Sequence, residues 1–411
     1  MSRPPHPPSA EQVSLRAAVP WVAGAIVYAG AMAQRMSIGI LTPDAQSRLG
    51  VGNAELALLP VGQLLLYLAM QVPAGVLLDR HGPRVVLAVS SLVMGVGQVV
   101  FGVANSLGPA VLGRLLVGLG DATCFVGLLM LARTCFPARL YPAIAASTAA
   151  VAAAGQLLVT YPLAVLMREH GWTTSLFTLA GGAFAGAAAA WVGISGPGAG
   201  GGGHAAYPSI GAVLRLGTVP AAREGLLTHL TLMAPFLALA AMWGYPYLLR
   251  GVGLAPEPAA LLLLAVAILP ALTGPLVGIA TSRRPDLLRP LVRASALVLL
   301  SVWTVTTLWP GPPPIAPVAL TYLVTGACVG PALLAFEIAR RGTPPELGGA
   351  ISGFANIGGF AGSVTAMLAV GTVVDRLGGD AAAYQNAMRV LPVLVAAGLL
   401  ALLAHHRRIG R

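Results

Sequence analysis

Three ionisable side chains lie inside long apolar stretches of the chain and are the first candidates for chemistry: Arg35, Arg114 and Asp121. A charge at the centre of a bilayer costs about 2.5–3.5 kcal/mol on insertion scales, so a charge placed there is a functional candidate. Asp121 follows Arg114 by two helical turns, which puts both on one helix face with Gly118 between them. The three groups sum to one positive charge, which a monoanion would balance.

The depth of the two arginines suggests a shared cavity. Arg35 lies 16 residues after Val19, about 24 Å along a helix, and Arg114 lies five residues into an apolar stretch that begins at the opposite side. Both positions reach a similar depth. A structural Arg–Asp pair that joins two helices is the alternative interpretation, but the nearby glycines favour an open approach over a packed seam.

Uncharged polar residues complete the predicted substrate site. Gln63 and Tyr67 lie four residues apart on one helix face, and Asn356 is a single amide within a Gly-rich apolar stretch. Tyr28 and Gln34 precede Arg35 in its own stretch. These five residues, with Arg35 and Arg114, form the predicted binding set.

The composition excludes a soluble enzyme. Of 411 residues 57% are hydrophobic and 9% charged, with a mean hydropathy of +0.82, whereas soluble proteins are about 25% charged. All 24 basic residues are arginines scattered between apolar runs, which argues against a nucleic-acid partner. The three cysteines lack C-x-x-C spacing, and no catalytic motif is present, so we expect no metal, no cofactor and no enzymatic activity.

Apolar windows bounded by charge, Pro and Gly predict an all-α membrane protein with twelve transmembrane helices in two pseudo-symmetric six-helix bundles. The predicted divisions are a tail at 1–18, a bundle at 19–195, a linker at 196–223, a bundle at 224–405 and a tail at 406–411. The predicted spans are 19–42, 55–78, 84–105, 109–133, 141–167, 173–195, 224–249, 258–281, 290–309, 315–339, 347–374 and 383–405.

The arginines predict the orientation. With both termini in the cytoplasm, 17 arginines lie on the cytoplasmic side and 5 on the outer side, with Arg35 and Arg114 inside spans. Positive residues of short loops stay preferentially in the cytoplasm, so this distribution favours an even number of spans and cytoplasmic termini.

The loop between spans two and three carries a G-x-x-x-D-R-x-G-P-R string formed by Gly75, Asp79, Arg80, Gly82 and Arg84 with Pro83. Gly75 permits close helix approach, and Gly82 with Pro83 predicts a tight turn. The string resembles the cytoplasmic loop signature of the major facilitator superfamily. That resemblance implies alternating-access transport, with these five residues acting as a conformational latch.

The predicted partner of Asp79 is the positive end of a neighbouring helix. Thr343-Pro344-Pro345-Glu346 reads as an N-cap, a helix-opening proline and a capping-box glutamate before span eleven. Alternatively, Asp79 and Arg84 only terminate helices. In the equivalent loop of the second bundle, Arg283 and Arg284 remain but no Asp-Arg pair precedes Pro285.

The first bundle also resembles the anion:cation symporter and organophosphate antiporter branches of the superfamily. Tyr28, Arg35 and Pro43 match their first span, and the R-x-x-x-G-x-G-D-A string from Arg114 matches their fourth span with Asp in place of Glu. The resemblance implies that Arg35 binds a carboxylate or phosphate and that Asp121 couples transport to protons. Gln34 departs from the pattern, because the symporters have a second acid there.

The sequence therefore predicts a secondary transporter of a small organic anion in the cell inner membrane, coupled to protons by symport. Its expected partners are the anionic substrate, protons and membrane lipid, and we expect a monomer. Proton-driven efflux of a small molecule and a transport-inactive nutrient sensor on the same fold are the alternatives.

Overall fold

The computed structural model describes residues 15–137, 141–194, 216–341 and 348–409, which are helical apart from short turns and contain no strand. We call residues 15–194 the N-terminal half and residues 216–409 the C-terminal half. The helices of the N-terminal half are α1 (Leu15–Leu49), α2 (Asn53–Leu56), α3 (Leu58–Ala69), α4 (Gln71–Val103), α5 (Leu107–Cys135) and α6 (Tyr141–Gly193).

The C-terminal half begins with a helix that changes its winding. α7 (Pro220–Ala238) continues through π-helical turns at Leu239–Trp243 and Tyr247–Gly251, which flank α8 (Gly244–Pro246). The remaining helices are α9 (Pro256–Arg283), α10 (Leu288–Thr307), α11 (Ile315–Ala327), α12 (Val329–Ala332), α13 (Leu334–Arg340), α14 (Gly348–Arg376), α15 (Ala381–Ala387) and α16 (Val390–Ile409).

Two glycines reverse the chain inside what would otherwise be continuous helices. Gly82 interrupts α4 with φ 76°, and Gly171 interrupts α6 with φ 74°. Only glycine adopts this left-handed region at little cost. The reversals fall between predicted spans two and three and between spans five and six, so the turn expected at Gly82 is present.

The outer surface of the bundle is apolar. Within the described residues, nine helical segments are long and apolar enough to cross a bilayer, and large hydrophobic side chains point outward, among them Leu158, Val192 and Val393 at 66–78% exposure. Exposure of so large an apolar surface to water is energetically unfavourable, so this surface indicates contact with lipid. The twelve predicted spans and the cytoplasmic termini stay predictions, as do the domain boundaries, and the predicted linker lies outside the described residues over 196–215.

The two halves contact each other through α6 and α9, and also at the end of the molecule that holds the turn between α1 and α2, which we call the Gly50 end. There α14 packs on α2 and α3, and α1 packs on the π-helical turn at Leu239–Trp243. The opposite end, which holds the reversal at Gly82, is the Gly82 end. Within the N-terminal half, α1 and α3 both pack on α5, and this arrangement brings the predicted charged residues together.

Candidate substrate site

Arg35 of α1 and Asp121 of α5 form a bidentate ion pair in the interior of the N-terminal half. The Arg35 Nε atom donates to Oδ2 at 2.7 Å, and Nη2 donates to Oδ1 at 2.8 Å. Arg35 is 7% exposed and Asp121 is 1% exposed. The planar guanidinium matches the two carboxylate oxygens, so each charge compensates the other within hydrogen-bonding distance.

An aromatic pair covers this ion pair and connects it to the other half. The guanidinium carbon of Arg35 lies 4.2 Å from the ring centroid of Tyr67 on α3, a cation–π distance. The Tyr67 ring in turn lies 5.5 Å from the ring of Phe360 on α14. Both rings are buried. This ring pair therefore connects the site of the N-terminal half with the C-terminal half.

Arg114 is fully buried beside the ion pair but takes different partners. Its Nη2 atom donates to the Gln63 side-chain oxygen and, at 3.1 Å, to the backbone oxygen of Gln34. Its Nη1 atom donates to Ser37 Oγ at 3.3 Å. The guanidinium carbon lies 5.5 Å from the ring centroid of Phe101. Arg114 thus joins α5 to α1 and α3, and no carboxylate of the described residues pairs with it directly.

Gly118 allows α3 to approach α5 between the two charged residues. A β-carbon at Gly118 would lie 2.6 Å from the backbone oxygen of Gln63, closer than real contacts permit. The absence of a side chain lets the Gln63 side chain reach Arg114. The predicted position of Gly118 between the charges therefore has a packing reason.

The structure brings together five of the predicted residues, namely Arg35, Gln34, Gln63, Tyr67 and Arg114, along with Asp121. Tyr28 lies two turns before Arg35 on α1 and packs on the Phe125 ring at 5.7 Å. Asn356 lies one turn before Phe360 on α14, in the facing half. Sequence reasoning missed Ser37 and Phe360, for which no charge or motif gives a signal.

Several buried polar atoms of this set have no hydrogen-bond partner among the described residues: both amide atoms of Gln34, Gln63 Nε2 and Arg114 Nε. Gln34 is 1% exposed, and its side-chain amide is the one group of these with neither its oxygen nor its nitrogen paired. Buried polar atoms are nearly always paired, so an unpaired buried amide calls for a further partner such as a ligand or a water molecule.

The predicted latch residues lie at the Gly82 end. Gly75 is buried, Asp79 and Arg80 are exposed, and Arg84 donates from Nε to the backbone oxygen of Trp191 at 2.8 Å. The Arg84 guanidinium also lies 4.6 Å from the Trp191 ring centroid. Arg84 therefore binds the end of α6. The partner predicted for Asp79, Thr343 to Glu346, lies outside the described residues.

The C-terminal half has a comparable connection, although the loop motif is degenerate there. Arg293 at the start of α10 is hydrogen-bonded to His406 Nδ1 near the end of α16 at 2.9 Å. His406 also contacts Glu224 of α7, which forms a bidentate pair with Arg289 at 2.8 Å. Glu224 and Arg289 line a cavity of about 420 Å³ at this end. These hydrogen bonds and ion pairs join α7, α10 and α16.

Neither a metal site nor a cluster of acids accompanies these groups: the described part of the chain has no group of three or more His, Cys, Asp or Glu side chains able to hold a metal ion. Among the described residues, the charged groups around Arg35 are the guanidinium–carboxylate pair with Asp121 and the additional guanidinium of Arg114.

The described structure is a helical bundle with an apolar outer surface, a buried ion pair and a reversal at a D-R-x-G-P-R string. The family model of the Major Facilitator Superfamily matches residues 24–367. The chain belongs to the major facilitator superfamily. It is accordingly a multi-pass membrane protein and a transporter rather than an enzyme.

Solved structures agree with this membership at the level of fold. The chain is similar to a bacterial homologue of the human lysosomal transporter Spinster, in an inward-facing and occupied conformation, with a TM-score of 0.77, 14% identity and coverage of 94% of this chain and 96% of that one. It is also similar to a point mutant of the nucleoside transporter NupG, with a TM-score of 0.77, 12% identity and coverage of 94% of this chain and 99% of that one.

One curated relative resembles part of the sequence. A probable sulfoacetate transporter of Cupriavidus necator is 32% identical over 100 residues, which cover 24% of this chain and 23% of that protein. The matched segment therefore spans about a quarter of the length of the relative.

Proposed function

We propose that this chain is a secondary transporter of a small organic anion in the cell inner membrane, driven by proton symport, with Arg35 as the anion-binding residue and Asp121 as the proton-accepting residue. The observation that supports the proposal is the buried bidentate pair between the two side chains. Because Asp121 occupies one edge of the Arg35 guanidinium, an incoming carboxylate or sulfonate would compete with it for the same donors.

This competition supplies a coupling mechanism. Protonation of Asp121 neutralises its carboxylate and weakens its hold on Arg35, so a substrate anion replaces it as the partner of the guanidinium. Arg114 adds a second positive charge within the site, and Gln34 adds an unpaired buried amide. With Asp121 ionised, the three charged groups sum to one positive charge, and with Asp121 protonated and a monoanion bound to Arg35 the sum is again one positive charge, so the empty and the loaded site carry the same net charge.

The substrate class follows from the guanidinium and from the partial relative. Arginine binds planar oxyanions through two parallel hydrogen bonds, and the curated relative is a probable sulfoacetate transporter. We propose short carboxylates and sulfonates as the substrates to test first. In the orientation predicted from the arginines, the Gly50 end faces outward, so the contacts there close the outer side of the site.

The test is uptake of labelled two- and three-carbon carboxylates and sulfonates into proteoliposomes whose exterior is acidified. We expect acid-driven uptake by the unmodified chain and none by Arg35→Gln. Arg48→Gln is the matched control, because Arg48 lies on the same helix but donates to the backbone oxygen of Ala104 at 2.9 Å, away from the site. Normal uptake by Arg35→Gln would refute the anion-site assignment.

A second variant separates coupling from binding. Asp121→Asn should lose uptake driven by the proton gradient while it still exchanges labelled for unlabelled substrate across the membrane. If Asp121→Asn retains gradient-driven uptake, Asp121 is not the proton-accepting residue. Absence of uptake and exchange by the unmodified chain, together with retained substrate binding in a thermal-shift assay, would favour the nutrient-sensor alternative.

A further inference from the structure

The G-x-x-x-D-R-x-G part of the latch string occurs twice in the chain. The first copy runs from Gly75 to Gly82, and the second runs from Gly371 to Gly378, where Asp375 and Arg376 take the places of Asp79 and Arg80. Both copies close a helix with a left-handed glycine, at φ 76° for Gly82 and φ 90° for Gly378. The second copy ends α14 at the Gly50 end, whereas the first lies at the Gly82 end.

Asp375 binds the first turn of a helix in the other half. Its Oδ1 atom accepts hydrogen bonds from the backbone N–H of Asn53 at 2.8 Å and from Asn53 Nδ2 at 2.7 Å. Its Oδ2 atom accepts from the backbone N–H of Ala54 at 2.7 Å. These N–H groups open the helical segment Asn53–Ala69, and the first N–H groups of a helix have no partner within it.

Within the segment, Glu55 accepts from the Gly52 N–H at 3.0 Å, but no side chain of the N-cap residue caps the N–H groups of Asn53 and Ala54. The N-cap residue is Gly52, which has no side chain, so the carboxylate of Asp375 takes the role that Asp or Ser usually plays at this position. The negative charge also lies at the positive end of the helix dipole. A β-carbon at Gly371 would lie 2.8 Å from the backbone oxygen of Asn53, so this glycine permits the approach.

Two further contacts surround the cap. Tyr384 donates from its hydroxyl to Asn53 Oδ1 at 3.2 Å, and Arg250 donates to the Tyr384 hydroxyl at 3.2 Å and to Gln46 Oε1 at 2.5 Å. Asn53 and Gln46 belong to the N-terminal half, and the other groups belong to the C-terminal half. The Tyr384–Asn53 and Arg250–Gln46 hydrogen bonds therefore join the two halves. The Arg250–Tyr384 hydrogen bond lies within the C-terminal half and connects the two residues that make those contacts.

We propose that Asp375 is a positioning residue of the transport cycle: it latches the Gly50 end shut by capping helix Asn53–Ala69 across the two halves. The cap is lost whenever the halves separate at this end, so it stabilises the conformation described here relative to the one that is open there. The duplicated string then places one aspartate at each end of the molecule, Asp375 at the Gly50 end and Asp79 at the Gly82 end.

This inference concerns the conformational equilibrium and holds for any cargo, so it fails or succeeds independently of Arg35 and Asp121. The probe is a single cysteine at Ile40 in a chain whose Cys124, Cys135 and Cys328 are replaced by alanine. Ile40 is 4% exposed and lies between the halves beside Ala240 and Leu263. Its alkylation rate by a maleimide in purified protein measures how often the halves separate, even when the open state is rare.

Asp375→Ala should raise the alkylation rate by about 2- to 30-fold. This factor is the change in an equilibrium constant that corresponds to the stability lost when a helix N-cap is replaced by alanine. Asp380→Ala is the matched control. Asp380 Oδ1 caps its own helix by accepting from the Ala383 N–H at 2.7 Å, within one half, so its loss should leave the rate unchanged. A rate unaffected by Asp375→Ala, or raised equally by both variants, would overturn the proposal.

A second variant removes the donor instead of the acceptor. Ala54→Pro deletes the backbone N–H that donates to Asp375 Oδ2, at a position in the first turn where helices tolerate proline. It should raise the alkylation rate in the otherwise unmodified chain and add little once Asp375 is alanine. Equal factors in both backgrounds would show that the two residues act independently and would contradict the latch.

Discussion

The buried Arg35–Asp121 pair makes a quantitative prediction about stability. Arg35→Gln leaves a carboxylate that is 1% exposed without its guanidinium, and removal of one partner from a buried ion pair costs about 3–5 kcal/mol. Asp121→Asn leaves Arg35, which keeps the Tyr67 ring at 4.2 Å, so we expect a cost at the lower end, about 3 kcal/mol. The double variant removes both charges of this pair at once. It should therefore cost about 3 kcal/mol less than the two single variants added together.

The assay is reversible unfolding in mixed micelles of a mild detergent and dodecyl sulfate, followed by the fluorescence of the six tryptophans. Glu337 and Arg341 provide the matched pair, because they lie 3.7 Å apart with side chains 54% and 49% exposed. Such exposed pairs contribute about 0–1 kcal/mol. A coupling energy for Arg35 and Asp121 no larger than that of this surface pair would refute the reasoning, since the charges would then not compensate each other.

Three further outcomes are expected. Gly118→Ala should destabilise the chain by about 1–3 kcal/mol in the same unfolding assay, because the added methyl group overpacks against α3. Gly181→Ala is the control: its β-carbon would meet nothing within 4 Å in the described structure, so it should stabilise α6 by about 0.5–1 kcal/mol. Equal effects of the two variants would contradict this prediction. Glu224→Gln should cost about 1–2 kcal/mol, because it weakens the charge-assisted hydrogen bonds with Arg289, whose side chain is 55% exposed and stays hydrated. An unchanged unfolding midpoint would count against that pair. Phe360→Ala should weaken substrate binding by about 2- to 10-fold in a thermal-shift titration, as expected for loss of an aromatic pair, and Phe360→Leu should weaken it less; identical affinities for all three chains would show that the ring contact is irrelevant to the site.

Local sequence patterns were sufficient to predict several elements of this fold. Apolar runs bounded by Gly, Pro and Arg predict helices, and the observed reversals at Gly82 and Gly171 fall between predicted spans. These features depend on neighbours within a few residues: a left-handed turn needs a glycine there, and a long apolar helix needs lipid. The chain stays helical beyond the predicted end of span two at 78, up to the reversal at Gly82.

The clustering of Arg35, Asp121 and Arg114 followed from helix periodicity together with estimates of depth, but the pairing did not. Periodicity puts Arg114 and Asp121 on one face of α5, which leaves open which of them meets Arg35. Packing of α1 on α5 selects Asp121 and leaves Arg114 to bind Gln63 and a backbone oxygen. Which residue of α5 pairs with Arg35 depends on how α1 and α5 are rotated relative to each other. That rotation cannot be predicted from the sequence of either helix alone.

The contact of Asp375 with helix Asn53–Ala69 shows the same division most clearly. The repeated G-x-x-x-D-R-x-G string was readable in the chain, and it marks two helix ends of the same construction. That the second aspartate caps a helix 322 residues away was decided by tertiary structure alone. A backbone N–H at a helix start donates to any carboxylate that lies close to it. The sequence therefore determined the chemistry of both groups, and the packing of the two halves determined that they meet.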